Sequence, residues 1–143
     1  MAIANLHETL LSYTLRKNQL NFEISQLQTQ KNLALYSQAD AMSIEAQDEK
    51  ELREFYKALY ESDSDYQGKY ADYTQIPDFE AELDKIAATY QEQLEQLNAW
   101  ETQLDAQITT NSAELEEINA YMESTKSMLS SNIQEDFNYG LNS

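Results

Sequence analysis

The chain has 143 residues, with 26 acidic against 9 basic side chains and a net charge of −17, and a mean hydropathy of −0.70. Its length fits one domain. So negative a charge excludes nucleic acid and anionic membrane surfaces as expected partners, since both require clustered Lys and Arg. No apolar run approaches the roughly 20 residues of a membrane span. The absence of cysteine removes disulfide frameworks and thiolate metal sites. Acidic polar chains are often disordered, but such chains are poor in aromatics, whereas this one has 10 tyrosines and a regular apolar spacing.

The opening MAIANLHETLLSYTLRKNQ has no positive charge leading into an apolar block, so no cleavable secretory signal is expected. A cytoplasmic protein fits, as does one exported without a cleaved signal. From about 4 to 61 the spacing predicts a helical arm. Leu6, Leu10, Tyr13, Leu20, Ile24 and Leu27 follow 4-3-7-4-3 steps, one face of a helix. The seam then steps eight residues to Leu35, resumes at Ala39, Met42 and Ala46, and runs on through Leu52, Phe55 and Leu59. Lys17 and Lys31 stand where the seam would otherwise be apolar, laying their methylenes along it while the ammonium reaches water. Continuity past Gln47 is the weakest point of this arm.

Between 62 and 77 the chain reads SDSDYQGKYADYTQIP, which is turn chemistry, with Gly68 expected at positive φ. Pro77 suits the first position of a new helix. A second arm is expected from about 78 to 139. Asp78, Glu80, Glu82 and Asp84 stand at its positive dipole end, and Gly140 at its C-cap. Its seam runs from Phe79, Leu83, Ile86 and Tyr90 through Leu94 and Leu97, then Leu104, Ile108, Leu115, Ile118, Met122 and Leu129. These are heptad steps with one extra 4 at Tyr90 to Leu94, a stutter. Glu101, Asn111 and Thr125 fall at interior positions of the same register.

Two such arms about one turn predict an all-α fold, a long antiparallel helical hairpin or coiled coil forming a single domain. With the bend near residue 69, Leu59 faces Phe79, Leu52 faces Ile86, Leu35 faces Leu104 and Leu20 faces Ile118. Charge agrees. Residues 1–39 carry +1, from Glu8 and Glu23 against Arg16, Lys17 and Lys31, whereas residues 78–143 carry −12. Two acidic arms side by side would repel. Leu11, Leu15, Phe22, Leu33, Tyr36 and Trp100 lie off the seam. They form a second apolar face suited to self-association or to a helical partner, or else widen a single stripe.

Candidate chemistry is sparse. Asp63, Asp65, Gln67 and Gly68 match positions 1, 3, 5 and 6 of a calcium loop, but Ala71 stands at position 9. Position 12, which needs a bidentate Glu, is Thr74, so a solvated turn is expected instead. His7 beside Glu8 has no second ligand at fixed spacing. Glu114, Glu116 and Glu117 read as a solvated charged face, since acid/base work needs a cleft. No catalytic, cofactor or metal residue is assigned. Tyr56, Tyr60, Tyr66, Tyr70 and Tyr73 crowd the bend, to pack the tip or to bind at it.

The segments LLSYTLRKNQLNFEISQLQTQKNLALYSQADA and SMLSSNIQEDFNYG, with the Tyr-rich middle between them, resemble uncharacterised short acidic coiled-coil proteins of gut bacteria. That resemblance implies a bacterial source and brings no activity with it. The layout is also similar to secreted filament subunits such as flagellins and type III secretion filament proteins, with pairing helical termini and no cysteine. The expectation is a non-enzymatic structural or protein-interaction protein, self-assembling or exported as a filament-type subunit. The alternative is an adaptor or export chaperone holding a client helix.

Overall fold

A computed structural model describes residues 2–142. They form α1 (Ile3–Ser62), α2 (Ser64–Lys69), a 3-10 turn (Tyr73–Gln75) and α3 (Phe79–Asn142), with no strand among the described residues. The all-helical expectation holds. No glycine or proline falls within α1, so nothing local breaks its backbone ladder, and it continues past Gln47 to Ser62.

The connection is more ordered than a turn. Asp63 caps α2 by accepting a bond from the Asp65 amide at 2.9 Å, and Asp72 accepts from the Thr74 amide at 2.8 Å. Three local expectations are corrected here. Gly68 lies inside α2 without a positive φ. Asp78 instead takes the left-handed conformation, at φ 74°. Its carbonyl accepts the first bond of α3, from the Glu82 amide at 2.9 Å. Pro77 precedes α3 and is not its first residue, because Asp78 after it is left-handed and the helix begins only at Phe79; Ile76 before it is extended, at φ −61° and ψ 132°. Gly140 is not a C-cap, since α3 continues to Asn142. Glycine permits a left-handed stop without imposing one, and nothing packs within 4 Å of where its Cβ would be.

Packing divides the chain into two compact units: Met1–Lys31 with Gln103–Ser143, and Asn32–Thr102. In the first unit Leu6, Leu20 and Leu104 are buried, with Met122 and the polar Thr125 nearly so. Tyr13 stacks on Tyr121 with ring centroids 5.7 Å apart. Arg16 grips Glu114 with two bonds of 2.8 and 2.9 Å, Asn111 donates to Glu23 at 3.3 Å, and Lys31 reaches Asp105 at 2.6 Å. The charge difference between the arms thus appears as cations of α1 on carboxylates of α3.

In the second unit Ala34, Ala41, Tyr56, Ile76 and Phe79 are buried. Gln38 donates to Glu101 at 3.1 Å and Tyr90 to Asp48 at 2.6 Å. The seam of α3 lies where expected, every position from Phe79 to Leu129 being buried or half-buried. The seam of α1 does not. After Leu27 it keeps alternating 4 and 3 steps through Lys31, Ala34, Gln38, Ala41, Glu45, Asp48 and Leu52, all buried or half-buried. Leu35 is 42% exposed, Met42 60% and Phe55 60%, and Ala39 and Ala46 are exposed as well. The reason is geometric. An eight-residue step turns a helix by about 80° away from the line it leaves. The helix holds its line and accepts small and polar residues on it.

Candidate interaction surface

The aromatic cluster of the second unit packs inward. Tyr56, Ile76 and Phe79 form its buried centre, with Leu52, Leu59 and Leu83 against it. Phe79 takes Tyr56 and Tyr73 edge-on, at 5.3 and 5.5 Å between centroids. The Tyr60 hydroxyl donates to the carbonyls of Tyr70 and Ala71, both at 3.0 Å. Burial first, and the nearby Glu82 carboxylate second, raise the Tyr56 phenol above its usual range. Tyr66 and Tyr70 pack against the same centre, their rings 6.0 Å apart, so all five tyrosines take part in packing. Sequence spacing placed Phe55 rather than Tyr56 on the seam and overlooked Ile76. The 4-step from Leu52 to Tyr56 was the available signal for the first.

The residues weighed for chemistry do not converge. Asp63 holds the α2 N-terminus, and the Gln67 amide donates to the Tyr60 and Glu61 carbonyls at 3.1 and 3.2 Å. Both would-be calcium ligands therefore serve local backbone groups. His7 is exposed. Glu114 turns to Arg16, whose hydrogen bonds hold its carboxyl below the usual range. Glu117 accepts the Tyr121 hydroxyl at 2.6 Å, and that bond raises the phenol. Glu116 points to solvent. Among the described residues, no three His, Cys, Asp or Glu side chains are grouped to hold a metal ion. No described helix is long and apolar enough to cross a membrane.

A groove of about 460 Å³ in the first unit is lined mainly by amides, Gln26, Gln30, Gln103, Gln107 and Asn111, with Glu23 and Leu27 also on its wall. It offers hydrogen-bonding groups but no charge constellation.

The surface that stands out is the outer side of α1. Leu11, Leu15 and Phe22 are 60%, 63% and 64% exposed. Every exposed residue between Leu11 and Gln30 is uncharged. The charged residues of that segment, Arg16, Lys17 and Glu23, are all half-buried. A solvated helix face ordinarily carries the charges, and this chain is 24% charged overall. The outer positions of α3 in the same unit carry them from Glu116 onward, at Glu116, Glu117 and Glu123, and between 103 and 113 expose only small or polar uncharged residues. Within the second unit Leu33 and Tyr36 are exposed at 55% and 72%, whereas Trp100 is half-buried. No family model, curated protein or solved structure matches the chain.

Proposed function

We propose that the protein is a non-enzymatic structural or interaction subunit of coiled-coil type. In this reading α1 and α3 form an antiparallel hairpin, and the uncharged outer face of α1 associates with another helix, as in a self-assembling subunit. The hairpin is supported within each unit by the order of the pairs: Tyr13 with Tyr121, Arg16 with Glu114 and Lys31 with Asp105, then Gln38 with Glu101 and Asp48 with Tyr90. As one number rises the other falls. The observation that carries the functional reading is the uncharged, Leu- and Phe-bearing exposed face between Leu11 and Gln30 on a chain of net charge −17. Exposing such residues without a partner invites aggregation, and a rimmed apolar patch marks an interaction site.

Nucleic acid and anionic lipid are poor partners for so acidic a chain. The test is light scattering of the purified chain over a hundredfold range of concentration. A mass that rises with concentration, or a stable oligomer, fits. A strictly monomeric chain that also fails to gain helicity or stability on mixing with amphipathic helical peptides refutes the reading.

A further inference from the structure

We infer that the occupant of the outer α1 face is the same face of a second copy, paired antiparallel about Phe22. The inference rests on the interaction reading above and names its partner. Leu15, Phe22 and Thr29 recur every seven residues, and all three are exposed. A heptad repeat keeps these three on one side of the helix, and the seam positions between them, Asn18 and Ser25, are exposed and polar but uncharged. Leu11, also exposed, extends the line by one turn beyond Leu15. Thr29 can join the apolar line because its hydroxyl donates to the Ser25 carbonyl of its own helix at 3.0 Å and so needs no partner across the contact.

Charge selects the occupant. A partner face bearing carboxylates would have to desolvate them against Leu and Phe, and the exposed residues between Leu11 and Gln30 include no cation to receive them. The Arg16 guanidinium beside this line is already committed to Glu114 and to the Gln19 side chain at 3.0 Å. In the same unit α3 presents Glu116, Glu117 and Glu123 outward, and between 103 and 113 its exposed residues are uncharged but include no large apolar side chain, so it offers no counterpart to Leu15 and Phe22. Residues 1–31 carry +1 of a total of −17. Pairing this segment with itself therefore brings two nearly neutral surfaces together, whereas self-pairing of α3, at −12 over residues 78–143, would oppose like charge. A two-fold interface, in which one patch serves both subunits, is also the commonest oligomer symmetry.

Direction follows from the flanking residues. In a parallel pair the exposed Glu8, seven residues before Leu15 on the same line, would approach its own copy. Reflection about Phe22 instead separates the two Glu8 side chains and sets Leu15 opposite Thr29. No like-charged pair remains along the contact.

The chain has no cysteine, so single cysteines report the geometry directly. In the full-length chain, Leu15→Cys and Thr29→Cys are made separately, with Phe22 left in place, and oxidised alone and as an equimolar mixture. The antiparallel pair predicts a covalent dimer in the mixture that joins one of each, and little from either variant alone. Cross-linking of each variant with itself would mean parallel pairing and overturn the inference. No cross-linking in any sample at concentrations up to 1 mM, on the order of the weakest affinity of interest, would overturn it too. A companion variant, Phe22→Asp, is expected to raise the dimer dissociation constant at least about 30-fold, as for a central aromatic anchor. Its helicity should not change, because the side chain is 64% exposed in the single chain. A helical, cooperatively melting monomer that binds a helical peptide through this face would refute self-pairing alone. A chain without helicity would refute both this inference and the reading beneath it.

Discussion

Leu35 and Ala34 give the sharpest test of how α1 is packed. Leu35 is 42% exposed and its neighbour Ala34 is fully buried. Complete burial of a Leu side chain is worth about 1.5–3 kcal/mol, so the partial burial of Leu35 gives about 1 kcal/mol for Leu35→Ala. Alanine's higher helix propensity offsets a few tenths of that. Leu20, at 0% exposure, is the internal standard, and Leu20→Ala should cost about 3–4 kcal/mol through lost transfer energy and a residual cavity. Ala34→Leu forces extra methylenes into a filled position and should cost about 1–3 kcal/mol. The assay is urea unfolding followed by circular dichroism, read as midpoint shifts at unchanged slope. Leu35→Ala as costly as Leu20→Ala, together with a harmless Ala34→Leu, would mean that the seam runs through Leu35, and the packing described for α1 would be wrong.

Arg16→Gln removes the grip on Glu114. That carboxyl is held below its usual value by the Arg16 hydrogen bonds, so its contribution is present above the unfolded carboxylate range, about 4.3, and is lost as pH falls through the folded value. The melting gap between the parent and Arg16→Gln should therefore be open at pH 7 and close toward pH 3. A gap independent of pH would contradict the ion pair. Asp78 at φ 74° predicts that Asp78→Gly is nearly neutral, whereas Asp78→Val, a β-branched residue in left-handed backbone, lowers stability by about 2 kcal/mol. Equal effects in thermal melts would refute that geometry. Tyr60→Phe removes the donor to the Tyr70 and Ala71 carbonyls. A loss of about 1 kcal/mol and faster proteolysis between 69 and 76 are expected, and unchanged cleavage would show that the bonds do not hold the segment.

The two helices were legible because Gly and Pro are nearly absent and the apolar steps are regular. The α3 seam could be read residue by residue, including polar Glu101, Asn111 and Thr125 at its interior, because a continuous run of Leu and Ile marks it. The middle of α1 could not. There the apolar residues Leu35 and Met42 lie beside the small Ala34 and Ala41, and side-chain size pointed one way while helical phase pointed the other. Phase prevails because every residue of a helix turns with its neighbours, and one large side chain cannot rotate sixty residues of hydrogen-bonded backbone. At the bend, turn composition was visible but its outcome was not. The same Asp, Ser and Gly residues serve an open turn or a capped short helix, and the caps of Asp63 and Asp72 decide it. The uncharged outer face was visible as scattered off-seam residues. Its significance emerged only once Arg16, Lys17 and Glu23 proved to be half-buried.

Antiparallel pairing of α1 with α3 is the premise of every functional statement above, and pulsed electron paramagnetic resonance between paired spin labels tests it most directly. Labels at Gln30 and Gln107, which line one groove of the first unit, and in a second sample at Glu45 and Gln91, which line one groove of the second, are measured in an excess of unlabelled chain, so that only distances within one molecule register. Both samples should give one narrow, short distance. A long or broad distribution in either sample would show that the two helices do not run against each other there.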